Sequence, residues 1–368
     1  MSDTKYMQHA IELAQKGTGF VNPNPLVGAV IVKNGKIIGV GHHQVYGGPH
    51  AEVNAFSALT EPAKGATMYV TLEPCSHFGK TPPCVDAVIA SGVARVVVGS
   101  LDPNPLVAGR SITKMRAAGI EVEIGVLKAE CDALNTEFFY YITTKMPYVI
   151  MKYAMTADGK IATRTGAARW ITGAAARAQV HADRHRYTGI MVGIGTVLAD
   201  DPMLDCRTEK DFKNPIRIIC DSTLQTPITS KVVATAKQIP TVILTACADS
   251  KLHEPYLGAG CTIISVPLKG DHLNLAFGLC ELGKMGIDSI LLEGGATLNA
   301  AMLAAKLVQR VQTYIAPKIF GGKEAPSPIA GLGVDTPDNA YKLINPKTTV
   351  LGGDILIEAE VDYPCSQE

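Results

Sequence analysis

Tryptophan occurs once in these 368 residues and aromatic side chains make up only 6%, too few for the stacking platforms that hold single-stranded nucleic acids. Neither sign of charge is in excess: 34 basic residues face 34 acidic ones, and the balance also holds within residues 1–146. Without a basic stripe, no nucleic-acid partner is expected. No run approaches the roughly 20 apolar residues of a membrane span. The opening MSDTKYMQHAIELAQKG lacks an apolar signal core and a small-residue cleavage site, and reads as a helix capped by Ser2 or Asp3. A cytoplasmic protein without a membrane partner is expected. Nine cysteines, an odd number scattered through a long chain, argue against a disulfide framework, so most should be small buried side chains.

What is present is the patterning of a two-domain α/β protein. LVGAVIVKNGKIIGVGHH is two apolar runs around Asn34-Gly35, a type I′ hairpin signal. Helical and strand patterns then alternate through IEVEIG, predicting a five-stranded mixed sheet with helices on both faces, a three-layer αβα domain over 1–146. A second series starts at YVIMKYAM and continues through GIMVGIG, IRIICD, TVILTA, CTIISVP, DSILLEGG, RVQTYIAPKIF and DILIEAEV. Helical stretches are expected at 174–186, 275–285 and 297–307. The last strands have no helices between them, which predicts an antiparallel edge on a partly parallel sheet over 147–368.

One internal echo stands out: NPNPLVG at residues 22–28 and DPNPLVAG at 102–109. Pro-Asn-Pro is a favoured turn in its own right. The alternative is that Asn24 and Asn104 present their amides to one ligand.

GPHAEVNAF places His50 and Glu52 at the start of a helix, where both can reach a point beyond the helix end. Cys75 follows a strand, and Cys84 follows Pro82-Pro83 at a helix start, where free N–H groups and the helix dipole favour a thiolate. His50, Cys75 and Cys84 make three ligands. A catalytic Zn²⁺ keeps its fourth position for water, bringing the pKa of that water toward ~7, with Glu52 as proton carrier. A structural zinc would need a fourth protein ligand, for which Cys131 or His43 could be nominated. In the loop between the cysteines, His77 and Lys80 could meet a ring carbonyl and a phosphate, or be solvated; His42, at the end of the hairpin, is a further candidate.

HAE followed by EPC and a second cysteine resembles the zinc-dependent cytidine-deaminase superfamily, whose signature is H-x-E…P-C-x-x-C. This chain departs from it, with eight residues between Cys75 and Cys84. With that longer spacer, PCSHFGKTPPC preceded by NPNPLVGAVIVKNG resembles the deaminase half of bacterial bifunctional riboflavin-biosynthesis enzymes of the RibD/RibG type. The resemblance implies a phosphorylated diaminopyrimidine substrate.

In the second half, LLEGGATLNAAMLAAKLV puts Gly294-Gly295 between a strand and a helix, a geometry suited to phosphate but not the G-x-G-x-x-G fingerprint. KYAMTADGKIA, RWITG, GIGTVLADDPMLDCR, CDS and EGGATL resemble the reductase half of the same family, similar in fold to dihydrofolate reductase. That resemblance implies NADPH held by Ala154, Trp170, Thr196, Asp200, Ser222 and the segment Gly295, Ala296, Thr297, Leu298, Asn299, Ala300, Ala301. It also implies substrate held by Ala168, Arg184, Leu204, Arg207 and Glu293. Lys152 and Asp200 are candidates for orienting the sugar or relaying a proton, and Arg184 and Arg207 suit phosphate recognition. A homo-oligomer, dimer or tetramer, is expected. Two rivals stay open: a nucleic-acid deaminase with an appended binding domain, and a second domain that reduces a pterin.

Overall fold

The computed structural model describes residues 2–76, 82–104, 108–208 and 211–363. The chain divides into two compact units, Met1–Lys145 and Met146–Glu368. Among the described residues, no helix is long and apolar enough to cross a membrane.

The first unit runs α1 (Asp3–Gln15), β1 (Gly28–Lys33), β2 (Lys36–His42), α2 (Ala51–Ser57), β3 (Thr67–Leu72), α3 (Cys84–Ala90), β4 (Arg95–Ser100), α4 (Arg110–Ala117), β5 (Glu121–Ile124), α5 (Lys128–Leu134) and α6 (Thr136–Thr144). Its sheet has the order β2-β1-β3-β4-β5. β1 pairs antiparallel with β2 and β3, while β3, β4 and β5 are parallel. Asn34 and Gly35 both have positive φ (50° and 76°), as a type I′ turn requires. Strand alternation builds two cores. Ile31, Met68, Val70, Val96 and Val98 pack under α2, α3 and α4, while Val30, Val32, Tyr69 and Val97 pack under α1 and α5. Gly41 sets how closely α2 approaches β2: a Cβ there would lie 2.3 Å from Ala55 N and 2.4 Å from Ala51 O.

The second unit runs β6 (Tyr148–Thr156), α7 (Ala174–Arg186), β7 (Gly189–Gly193), α8 (Ile194–Asp200), β8 (Ile216–Cys220), α9 (Lys231–Ala234), β9 (Thr241–Thr245), α10 (Ser250–Ala259), β10 (Thr262–Ser265), β11 (Leu268–Lys269), β12 (His272–Leu273), α11 (Leu275–Lys284), β13 (Ser289–Gly294), α12 (Ala296–Ala304), β14 (Arg310–Ala316), β15 (Lys342–Leu351) and β16 (Asp354–Asp362). The main sheet has the order β10-β9-β8-β7-β13-β6-β14-β16-β15. It is parallel from β10 to β14 and antiparallel across β14-β16-β15. The parallel pairing of β8 with β7 and of β7 with β13 leaves the C-terminal ends of β7, β8 and β13 side by side, where open α/β sheets hold ligands.

Several elements carried no readable sequence signal. β15 is exposed along nearly its whole length, so it shows no apolar alternation, and Pro346 falls where its register with β16 shifts. The helix α10 contains Pro255, which masks it from a propensity reading.

Candidate active sites

His50 is the N-cap of α2, in extended backbone (φ −75°, ψ 167°), and Glu52 lies in the first turn. Cys84 is the first residue of α3. Its backbone N–H donates to Cys75 Sγ at 3.3 Å, and Val85 N–H donates to the Cys75 carbonyl at 3.2 Å, so the α3 N-terminus holds the loop residue in place. His50 Nδ1 lies 3.2 Å from Cys84 Sγ and 3.6 Å from Cys75 Sγ. The three donor atoms all fall within 4.8 Å of one another.

That spacing fits a tetrahedral zinc, whose bonds of about 2.0 Å to nitrogen and 2.3 Å to sulfur put neighbouring ligands roughly 3.5 Å apart. The proton chemistry agrees. The Cys84 thiol hydrogen-bonds Cys75 and, with His50, pulls its pKa down, whereas Cys75 and burial push Cys84 up. Two sulfurs sharing one proton are a site from which a cation displaces that proton. Burial, reinforced by the Cys75 thiolate, pushes the Glu52 carboxyl up to about 7; a dication beside it would pull the other way. Cys131 and His43 do not join the cluster among the described residues. Cys131 is packed against Gly99, and both ring nitrogens of His43 are engaged elsewhere.

The cluster opens on a cavity of about 260 Å³ whose walls include Glu52, Asn24 and Asn104. The two halves of the Pro-Asn-Pro echo therefore do converge. Asn104 is positioned by Asp102, whose Oδ1 accepts its N–H at 2.8 Å. On the hairpin side the structure corrects the expectation: His43, not His42, forms the wall. β2 ends at His42, and His43 N–H then donates to the Val27 carbonyl at 3.0 Å. His43 Nδ1 lies 3.0 Å from the Pro49 carbonyl, which can only accept, so Nδ1 carries the proton and Nε2 accepts from Asn24 Nδ2 at 3.1 Å. Burial lowers the His43 pKa, so the ring stays neutral. The Asn24 amide is thereby oriented, with its Oδ1 left for a donor.

Glu73 was missed by sequence reasoning. It is 3% exposed on the same wall. Its carboxylate accepts from Gly109 N–H at 3.0 Å and Ser111 Oγ at 2.7 Å, anchoring the end of the Asn104 loop and the start of α4. The only signal was its place beside Pro74-Cys75. His77 and Lys80 lie outside the described residues.

The second unit has a cavity of about 650 Å³. Thr196, Asp200, Ser222 and Ala168 line it, as do Gly295, Ala296, Thr297, Leu298 and Ala301. Gly294 and Gly295 have φ of +74° and +87°, a conformation that L side chains resist and that brings the backbone to the cavity at the N-terminus of α12. Four expected cofactor residues are not on its walls. Asn299 is buried and donates from Nδ2 to the Pro328 carbonyl at 3.0 Å, tying down the loop after β14. Ala300 faces Gly331 of that loop. Ala154 packs against the Tyr314 and Leu356 cluster. Trp170 is 62% exposed and stacked on the Arg177 guanidinium at 4.6 Å.

Beside this cavity lies a charged cluster. Arg184 grips Glu293 through Nε and Nη2 at 2.7 and 2.9 Å, and Lys152 Nζ is 3.6 Å away. Burial alone would raise the Glu293 pKa, but Arg184 and Lys152 outweigh it and bring it to about 2. Arg184 Nη1 donates to the Asp205 carbonyl at 2.9 Å. Its fork is committed to a carboxylate and is not free to take a phosphate bidentately, which corrects that expectation. Arg207, with its side chain 64% exposed, has no such commitment beyond Asp205 at 3.3 Å. Leu204 is 3% exposed and belongs to the core under β7 and β8, so its contribution to a ligand would come from the backbone.

Comparison with known proteins accounts for both units. Residues 1–100 match the family model "Cytidine and deoxycytidylate deaminase zinc-binding region" and residues 147–357 match "RibD C-terminal domain". The chain is 52% identical over 364 residues to the riboflavin biosynthesis protein RibD of Actinobacillus pleuropneumoniae, covering 99% of this chain and 96% of that one. Among solved structures, Acinetobacter baumannii RibD (form 2) superposes with a TM-score of 0.87 at 36% identity, over 98% of this chain and 99% of that one. A Thermotoga maritima diaminohydroxyphosphoribosylaminopyrimidine deaminase/5-amino-6-(5-phosphoribosylamino)uracil reductase superposes with a TM-score of 0.85 at 38% identity, over 98% and 99%.

Proposed function

Since the chain belongs to the RibD family of bifunctional riboflavin-biosynthesis enzymes, we propose that its two cavities perform that family's deamination and reduction in turn. The first reaction is hydrolytic deamination of 2,5-diamino-6-(ribosylamino)-4(3H)-pyrimidinone 5′-phosphate, with release of ammonia. The second reduces the ribosyl side chain to give 5-amino-6-(ribitylamino)uracil 5′-phosphate. The observation that carries the assignment is the buried Glu52 sharing a cavity with the His50, Cys75 and Cys84 donors and with two loop asparagines.

His50, Cys75 and Cys84 would hold the zinc, which when bound would supply Lewis acidity and bring the pKa of a water at the site toward ~7. Glu52, walled off from bulk solvent, takes a proton from the attacking water and returns it to the departing nitrogen. The Asn24 Oδ1, fixed through His43, accepts from a ring N–H or amino group, and Asn104 meets the ring from the facing loop. His77 and Lys80 remain our candidates for the ring carbonyl and the phosphate.

The second cavity would hold NADPH, which when bound would supply the hydride for reduction at the sugar C1′; the glycine turn and the α12 N-terminus would suit its pyrophosphate. Glu293, Arg184 and Lys152 form a buried cluster of net positive charge that orients the sugar, and exposed Arg207 suits the substrate phosphate. A cytoplasmic homo-oligomer belongs to the same reading.

Mass spectrometry of products with and without NADPH tests the order. One amino group should be lost first, and two hydrogens gained only when NADPH is present. Stripping zinc with a chelator should abolish ammonia release, and adding Zn²⁺ back should restore it; ammonia release that persists in metal-free protein would overturn the zinc role. His43→Phe keeps an aromatic ring but removes the acceptor for Asn24 and the donor to the Pro49 carbonyl. It is expected to raise the deaminase KM about tenfold, the scale of one lost buried hydrogen bond, while one zinc per chain is retained. An unchanged KM would show that Asn24 is not held through this pair.

A further inference from the structure

The walls of the first cavity reach beyond the zinc-binding region matched by residues 1–100. Phe138 and Ile142, on successive turns of α6, line it, and the N-cap of that helix is Asn135. Asn135 is 2% exposed. An asparagine at this position ordinarily turns its side chain back to accept an N–H of the helix's own first turn. Here the side chain caps nothing in α6. It reaches 109 positions along the chain instead: Leu26 N–H donates to Asn135 Oδ1 at 2.7 Å, and Asn135 Nδ2 donates to the Leu26 carbonyl at 3.0 Å. A backbone N–H can only donate and a carbonyl can only accept, so this pairing fixes which way the amide points.

Leu26 stands between two wall residues, Pro25 and Val27, and two positions after Asn24. The turn has few main-chain donors with which to be held. Pro23 and Pro25 have no N–H, and Asn24 N–H is spent locally, on the Val21 carbonyl at 2.8 Å. From 23 to 26 that leaves the N–H of Leu26, and its partner is Asn135. His43 orients the Asn24 amide at 3.1 Å, but orientation places the amide correctly only if the main chain beneath it is fixed, and a misplacement of about 1 Å is enough to matter at a reacting site.

We propose that Asn135 is a positioning residue for deamination: by clamping both backbone groups of Leu26, it sets where the Asn24 amide stands in the cavity. This rests on the deaminase reading of that cavity. Side-chain substitution addresses the clamp alone, because α6 starts on a main-chain bond, Phe139 N–H to the Asn135 carbonyl at 2.8 Å, that survives it.

The test is a double-mutant cycle on the zinc-loaded full chain, with KM and kcat read from ammonia release for the native protein, Asn135→Leu, Asn24→Ala and the two combined. Asn135→Leu offers a side chain of similar size without either bond. It should raise KM about tenfold, with kcat and zinc content per chain unchanged. In the Asn24→Ala background, where the amide it positions is gone, it should add nothing to KM; a residue that merely supported the fold would multiply KM by the same factor in both backgrounds, and that result would overturn the proposal. So would an unchanged KM in Asn135→Leu, or a joint fall of kcat and zinc content. Should Asn135→Leu not fold, Asn135→Asp, which keeps the acceptor for Leu26 N–H and loses only the donor, enters the same cycle with the same expected pattern. A native chain that releases no ammonia from the diaminopyrimidine would overturn the deaminase reading and this inference with it, whereas native deamination with equal effects in the two backgrounds removes the role of Asn135 alone.

Discussion

Glu52→Gln is expected to cut ammonia release by about 10²–10⁴-fold, the range supplied by a positioned proton carrier, while zinc content stays at one per chain. The amide matches the carboxylate in shape and size, so the cavity and the His50, Cys75 and Cys84 donors are undisturbed. What it lacks is a basic oxygen to take the proton of the attacking water and hand it to the departing nitrogen. Two measurements are needed together, metal analysis and an ammonia assay under substrate saturation. Loss of both zinc and activity would make Glu52 a structural support of the site. Full activity with full zinc would remove it from the mechanism.

The cluster of His50, Cys75 and Cys84 was legible in the sequence because its residues sit at element ends, and element ends are what sequence marks best. Pro49 and Pro83 announce helix starts, β3 ends just before Pro74-Cys75, and the Asn34-Gly35 hairpin fixes where the first two strands turn. Spacing alone then brings one imidazole and two thiols to a common point. The same method misplaced the hairpin histidine by one residue. Whether His42 or His43 faces the cavity depends on where pairing with β1 stops, and that is decided by the hydrogen bond from His43 to Val27, a tertiary fact with no local signature. Asn299 failed for a related reason. Its helix turn was correctly placed, but which side of α12 meets the cavity and which meets the Pro328 loop is set by packing. Glu73 was hidden because its partners, Gly109 and Ser111, lie far along the chain. The hairpin of β11 and β12 consists of two-residue strands, too short for any periodicity to register.

The reductase cluster supports a prediction in which the pH dependence identifies the cause. Arg184→Met removes the guanidinium that grips Glu293 and leaves a carboxylate of 11% side-chain exposure with only Lys152, 3.6 Å away. Breaking a buried ion pair from one side costs about 3–5 kcal/mol, so the second unit should unfold at markedly lower urea. The lone tryptophan, Trp170, belongs to that unit, and its fluorescence reports the transition. In the native protein Glu293 is held at about 2, below the ordinary 4.5. It therefore contributes stability that is fully present above about pH 4.5 and is lost as pH falls toward 2. In Arg184→Met, burial acts against only Lys152 and the weaker influence of His181, and the folded pKa moves upward. If it rises above the unfolded value, protonation favours the folded state, and the stability gap to the native protein should narrow as pH is lowered through 6 to 4. Adding Glu293→Gln to Arg184→Met removes the stranded charge and should recover much of the stability and flatten that pH dependence, without restoring reduction. A uniform, pH-independent loss that persists in the double variant would mean that Arg184 acts through packing and through its bond to the Asp205 carbonyl rather than by neutralising Glu293.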